Sequence, residues 1–137
     1  MNGATVYDDS YNSSPASLAA AMAVLARSGA AVRVAVIGDM LELGDHTSDA
    51  HVEAGKRAAG AATAVIAVGD QAEVVAAAAR AAGMPPGAVH VAADAAHAAA
   101  VARELCGPDT AVLVKASHGM ALERVVAELT GTAGSRA

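Results

Sequence analysis

An α/β fold, Rossmann-like, with a mainly parallel sheet and helices on both faces, follows from three observations. Apolar runs at 32–37, 64–68, 89–92 and 111–114 have strand length and little polar alternation, as strands covered on both faces do. Alanine-rich stretches of helical length separate them. Turn or cap residues mark the changeovers, among them Pro15, Gly29, Gly69-Asp70, Asp94 and Gly107-Pro108-Asp109. Strand and helix alternating five times argue a parallel sheet rather than a bundle or sandwich.

The first strand is expected at 4–7, ending at the acidic pair Asp8-Asp9. Ser13 or Ser14 then serves as N-cap, Pro15 suits the first helical position, and the helix runs to about Ser28, stopped by Gly29. After the strand at 32–37, residues 38–47 read as a loop. Ser48 is expected to cap a helix at 49–59, with Glu53 four residues ahead of Arg57 for an ion pair. The strand at 64–68 leads through Gly69-Asp70 into a helix reaching about Ala82. Gly83-Met84-Pro85-Pro86-Gly87 is a turn before the strand at 89–92. Asp94 caps a helix to about Cys106, and the strand at 111–114 opens into a loop at 115–119. A last helix spans about 120–130, and 131–137 reads as a frayed tail.

At 137 residues the chain suits one domain, 1–137, with one core. With no Phe or Trp and two Tyr, that core must be aliphatic. The net charge of −5 argues against nucleic acid or an anionic membrane as main partner, since both call for a basic face. A single cysteine, Cys106, cannot form an internal disulfide; it is expected to be buried in a helix and fits a reducing compartment. The sequence has neither signal-peptide regions nor an apolar run of membrane-spanning length, so a cytoplasmic protein is expected.

Three polar segments follow strand-like runs, and in a parallel sheet the loops after the strands share the ligand-binding edge. The first, Asp8-Asp9-Ser10-Tyr11-Asn12-Ser13-Ser14-Pro15, holds more donors and acceptors than a turn and a helix cap require. In the second, Gly38-Asp39-Met40-Leu41-Glu42-Leu43-Gly44, Asp39 brings a carboxylate to the edge. Met40, Leu41 and Leu43 are expected to pack beneath, and Glu42 reads either way. The third, Lys115-Ala116-Ser117-His118-Gly119, carries one of only two lysines, well placed for a phosphate or carboxylate, with Ser117 and His118 as further contacts. His46 and His51 lack metal-pair spacing, and there is no Cys/His cluster, so no metal site is expected. His90 and His97 read as surface or boundary residues. No Gly-x-Gly-x-x-Gly fingerprint, Walker phosphate loop or Gly-x-Ser-x-Gly elbow occurs.

Taken together, the segments resemble the C-terminal domain of the Mur ligases. The family pattern Asp-Asp-Ser-Tyr-Asn-Ala-Asn-Pro stands here as residues 8–15. Gly-Asp-Met-x-Glu-Leu-Gly is complete from Gly38 to Gly44 and is followed by His51 and Gly55. Val-Lys-Gly-Ser-Arg-x-Met appears as Val114-Lys115-Ala116-Ser117-His118-Gly119-Met120, with Glu123 beyond. The match is collinear over nearly the whole chain, and the likest branch joins D-alanyl-D-alanine to UDP-N-acetylmuramoyl-tripeptide. Ser14, Ala116 and His118 depart from it. His118 lacks the bidentate fork of the family's arginine.

The resemblance implies one part of a three-domain, cytoplasmic, ATP-dependent ligase. Its N-terminal domain binds the UDP-sugar peptide, and its central domain binds most of the ATP and Mg2+. The domain seen here closes over ATP and the incoming dipeptide. By the same resemblance, Asp9, Tyr11, Asn12 and Ser13 face the nucleotide. Lys115, Ser117, His118 and Asp39 face the dipeptide or the reacting acyl phosphate. No residue is singled out as a proton-transfer catalyst. The start at Met1-Asn2 falls within the family pattern and is expected to be an excised boundary, and the domain alone is expected to be inactive. Two rivals stay open: a Mur-type or folylpolyglutamate-type ligase with another amine substrate, and a stand-alone ligand-binding or regulatory module.

Overall fold

The computed structural model describes residues 5–9, 14–41, 43–115 and 122–130. Within them, five strands form one parallel sheet: β1 (Thr5–Asp9), β2 (Val32–Ile37), β3 (Ala64–Val68), β4 (Val89–Ala92) and β5 (Thr110–Lys115), in the order β1-β5-β2-β3-β4. The helices are α1 (Pro15–Ala26), α2 (Thr47–Ala61), α3 (Ala72–Ala81), α4 (Ala95–Leu105) and α5 (Glu123–Thr130). The central strands β2, β3 and β5 are nearly all Val, Ile, Leu and Ala because both their faces are covered.

Period-2 alternation divides the core. Ala35, Ile37, Val65, Ala67, Ala111 and Leu113 turn to α1, α2 and α3, while Val34, Val36, Ile66, Val68, Val112 and Val114 turn to α4 and α5. Alanine on the helices lets them lie close to the sheet. Helices α2 and α3 also lie close together at Gly55 of α2: a Cβ there would run into the Val75 carbonyl oxygen of α3 and sit 2.7 Å from the Ala78 Cβ.

Local chemistry explains most element ends. Ser14, not Ser13, caps α1: its Oγ accepts the Ser17 N–H at 3.2 Å, and Ser17 Oγ accepts the Ser14 N–H at 2.9 Å. Asp94 caps α4 by accepting the His97 N–H at 2.9 Å. Gly29, with φ +79°, lies just past the end of α1 in a conformation that favours glycine.

Several expectations need correction. The strands β1 and β5 run on through Asp9 and Lys115, because the two pair with each other to that point. Ser48 caps nothing: a 3-10 turn, Gly44–His46, feeds straight into α2 at Thr47, whose hydroxyl donates to the Gly44 carbonyl at 2.8 Å. Leu41 does not pack beneath the second segment; it is 43% exposed, whereas Met40 is buried and Leu43 half-buried. Cys106 lies at the C-cap of α4, half-buried, rather than inside the helix. The Glu53–Arg57 pair forms at 3.3 Å. The expected tail at 131–137 lies outside the described residues. Among the described residues no helix is long and apolar enough to cross a membrane.

Candidate functional site

The sheet order places the last residue of β5 between two other strand ends. Lys115 pairs in register with Asp9 of β1 on one side and Ile37 of β2 on the other, and its carbonyl accepts the Gly38 N–H at 2.9 Å. The first and third sequence segments therefore start side by side, with the second flanking them. The helices after β1 and β2 lie on one face of the sheet, whereas the helix after β5 lies on the other. This is a topological switch point, where loops diverge and parallel α/β sheets bind ligands.

Lys115 is 1% exposed and the bulkiest fully buried side chain among the described residues. Alternation along β5 puts it on the face of Ala111 and Leu113, towards α1, α2 and α3. A lysine is rarely taken out of water unless a polar group or an anion meets it, so its burial at the ligand edge is a costly placement. The solvated alternative for this residue does not hold.

The second segment is held from three directions. Asp39 is buried, and its carboxylate reaches the loop between β3 and α3: Oδ2 accepts the Asp70 N–H at 3.0 Å and Oδ1 the Gln71 N–H at 2.9 Å. It thereby caps the start of α3 from a neighbouring loop, where a negative charge also meets the favourable end of the helix dipole. Met40 donates its N–H to His51 Nε2 at 2.9 Å, while His51 Nδ1 lies 2.6 Å from the Thr47 carbonyl oxygen. Gly38 is tied to β5 as described.

Of the expected site residues, the structure brings together the backbone of Asp9, Lys115 and the 38–40 segment. Asp39 sits beside this edge with both oxygens engaged by backbone N–H groups, as a brace between two loops. Tyr11, Asn12, Ser13, Ser117 and His118, and the ambiguous Glu42, lie outside the described residues. Two residues contribute in ways the motifs do not specify. His51 stands in the family pattern without a role, yet its place on the α2 stripe of Ala50, Ala54, Ala58 and Ala61 marks it as core-facing. Gly69, with φ +108°, leaves room for the Asp39 carboxylate. Among the described residues no group of three or more His, Cys, Asp or Glu is placed to hold a metal ion.

This geometry meets a matching family. The model of the Mur ligase, glutamate ligase domain, matches residues 1–118. The chain belongs to the Mur ligase family. Over 72 residues, 52% of this chain, it is 42% identical to the UDP-N-acetylmuramoyl-tripeptide–D-alanyl-D-alanine ligase of Escherichia coli (strain K12), covering 16% of that enzyme. It is also similar to the Thermotoga maritima MurF ligase, whose crystal structure is a complex with ADP: 25% identity, TM-score 0.79, 96% of this chain and 29% of that one. MurF from Acinetobacter baumannii gives the same 25% identity, TM-score of 0.79 and coverage of 96% and 29%. The chain spans less than a third of the length of these relatives. The match is to a ligase domain of that family, and the parallel five-stranded sheet is the fold those neighbours share.

Proposed function

We propose that this chain is the C-terminal domain of the ligase that adds D-alanyl-D-alanine to UDP-N-acetylmuramoyl-tripeptide in cytoplasmic peptidoglycan precursor synthesis. The observation that carries the reading is the register of Asp9 and Lys115 across β1 and β5 at the switch point. It makes one edge out of segments more than a hundred residues apart, the same segments that carry the family motifs. The E. coli relative's activity and the ADP bound to the T. maritima enzyme support the choice of dipeptide and nucleotide.

In this reading the edge closes over two substrates held mainly by the N-terminal and central domains. ATP, with Mg2+, supplies the phosphoryl group that activates the peptide carboxylate. The chain carries no phosphate loop of its own, so most of the grip on nucleotide and metal falls to the central domain. Asp9, Tyr11, Asn12 and Ser13 line the nucleotide side. Lys115, Ser117 and His118 present cationic and donor groups to the dipeptide carboxylate or the activated acyl group, and Asp39 braces the neighbouring loop through the Asp70 and Gln71 N–H groups. The contribution is positioning and the exclusion of water from a labile acyl phosphate, rather than proton transfer.

The test is to join this chain behind the remaining domains of the E. coli enzyme and follow amine-dependent phosphate release. Turnover with D-alanyl-D-alanine, and not with glutamate or a diamino acid, is expected. Turnover with another amine alone, or with none, would count against the reading.

A further inference from the structure

Residues 38, 39 and 40 are each fastened to a different element: Gly38 to β5, Asp39 to the start of α3, and Met40 to α2 through His51. The third of these fastenings runs through His51, which is 0% exposed and has both ring nitrogens engaged by backbone groups of the chain itself. We propose that His51 is a positioning residue for the Lys115 edge, acting through the Met40 N–H and then the Gly38 N–H on the Lys115 carbonyl. The proposal rests on the reading of that edge as the ligand site.

The bonds require one tautomer. A backbone N–H can only donate, so Nε2 must present its lone pair to Met40. The Thr47 carbonyl can only accept, so Nδ1 must carry the proton. Both ring nitrogens of the neutral imidazole are then satisfied inside the protein. An apolar side chain could fill the same volume, but it would leave the N–H of the buried Met40 without this acceptor. Bulk alone does not account for a histidine here. The directed acceptor that fixes the loop does.

Two substitutions in the 137-residue chain separate positioning from packing. His51→Gln keeps a side-chain oxygen able to accept from Met40, whereas His51→Leu fills space only. In His51→Leu, hydrogen exchange at both the Met40 and Gly38 amides should rise about tenfold, the equivalent of one lost hydrogen bond. The Lys115 amide resonance should move with them, amides in β3 and β4 should not, and His51→Gln should restore the pattern. A rise confined to Met40, or an equal rise at all amides in both variants, overturns the proposal.

A measurement on the unmodified chain guards against a variant that does not fold. Long-range proton–nitrogen spectra should show the Nδ1–H tautomer of His51, and the Nε2–H tautomer would overturn the proposal. Titration with Mg-ADP separates the two readings. A chain that never responds to the nucleotide counts against the ligand edge, while the exchange pattern still decides whether His51 positions Lys115.

Discussion

The carboxylate of Asp39 lies directly over Gly69, so close that a Cβ on the glycine would fall 2.7 Å from its carbon and both oxygens. The missing side chain and the buried acid are two halves of one joint between the loops after β2 and β3. Asp39→Ala should lower stability by about 2–3 kcal/mol, because two N–H groups lose a charged acceptor. Asp39→Asn, which keeps one oxygen, should cost about 1 kcal/mol. Gly69→Ala should cost about 1–3 kcal/mol through its φ of +108° and the crowding. The double variant should cost less than the sum, since removing the carboxylate makes room. Urea unfolding of the four proteins checks this, and strict additivity would mean that the two residues do not share a joint.

Two glycines of α2 should respond with opposite signs. At Gly55 an added methyl meets the Val75 carbonyl and the Ala78 side chain of α3, and the helices must part. Gly55→Ala should destabilise by about 1–3 kcal/mol. At Gly60 nothing lies within 4 Å. There the gain in helix propensity should dominate, and Gly60→Ala should stabilise by about 0.5–1 kcal/mol. Thermal melts of the two variants decide it. Equal effects would mean that α2 and α3 do not pack as closely as described.

These residues also mark how far the sequence could be read. The runs at 32–37, 64–68 and 89–92 became β2, β3 and β4 without change, because a strand buried on both faces is a continuous apolar word. The strand ends were harder to read. Asp9 and Lys115 look like loop residues in isolation, and only their mutual pairing makes them strand. Asp39 was legible as an edge residue, but its partners at 70 and 71 lie in another loop, and no local pattern encodes such a contact. His51 was visible in the family pattern, but its bond to the Met40 N–H was not, because that contact depends on how the loop folds back over α2. Ser48 misled because the 3-10 turn ahead of α2 already supplies a helical start.

Burial raises the Cys106 thiol above its ordinary value of 9.0. The neutral form is therefore favoured in the folded state, and the unfolded chain loses its proton first as pH rises. The linked stability is intact below about pH 9 and falls above it. Cys106→Ala should flatten that part of the stability–pH curve, and alkylation of the folded protein should be slower than that of a free thiol at the same pH. Denaturant midpoints across pH 7–10 and a thiol-reagent time course check both points. An unchanged slope in the variant would remove this cysteine from the account.

Glu53 and Arg57 supply a contrasting case. Their ion pair at 3.3 Å is about half exposed on both sides, so solvent screens it. Glu53→Gln should change stability by less than about 0.5 kcal/mol, and the loss should shrink further in high salt. Denaturation at low and high salt measures it. A cost well above that would give the surface of α2 a weight this account does not assign.

The ends of β1, β5 and β2, at Asp9, Lys115 and Ile37, with Gly38 just beyond, are read here as one ligand edge. The most direct test is an NMR titration of the labelled chain with Mg-ATP and, separately, with D-alanyl-D-alanine, repeated on Lys115→Met. Shifts should cluster at residues 9–13, 38–40 and 115–118, and the variant should lose at least about tenfold in affinity, the scale of one charge-assisted contact. Shifts elsewhere, or a Lys115→Met chain that binds both ligands as tightly as the parent, would contradict it.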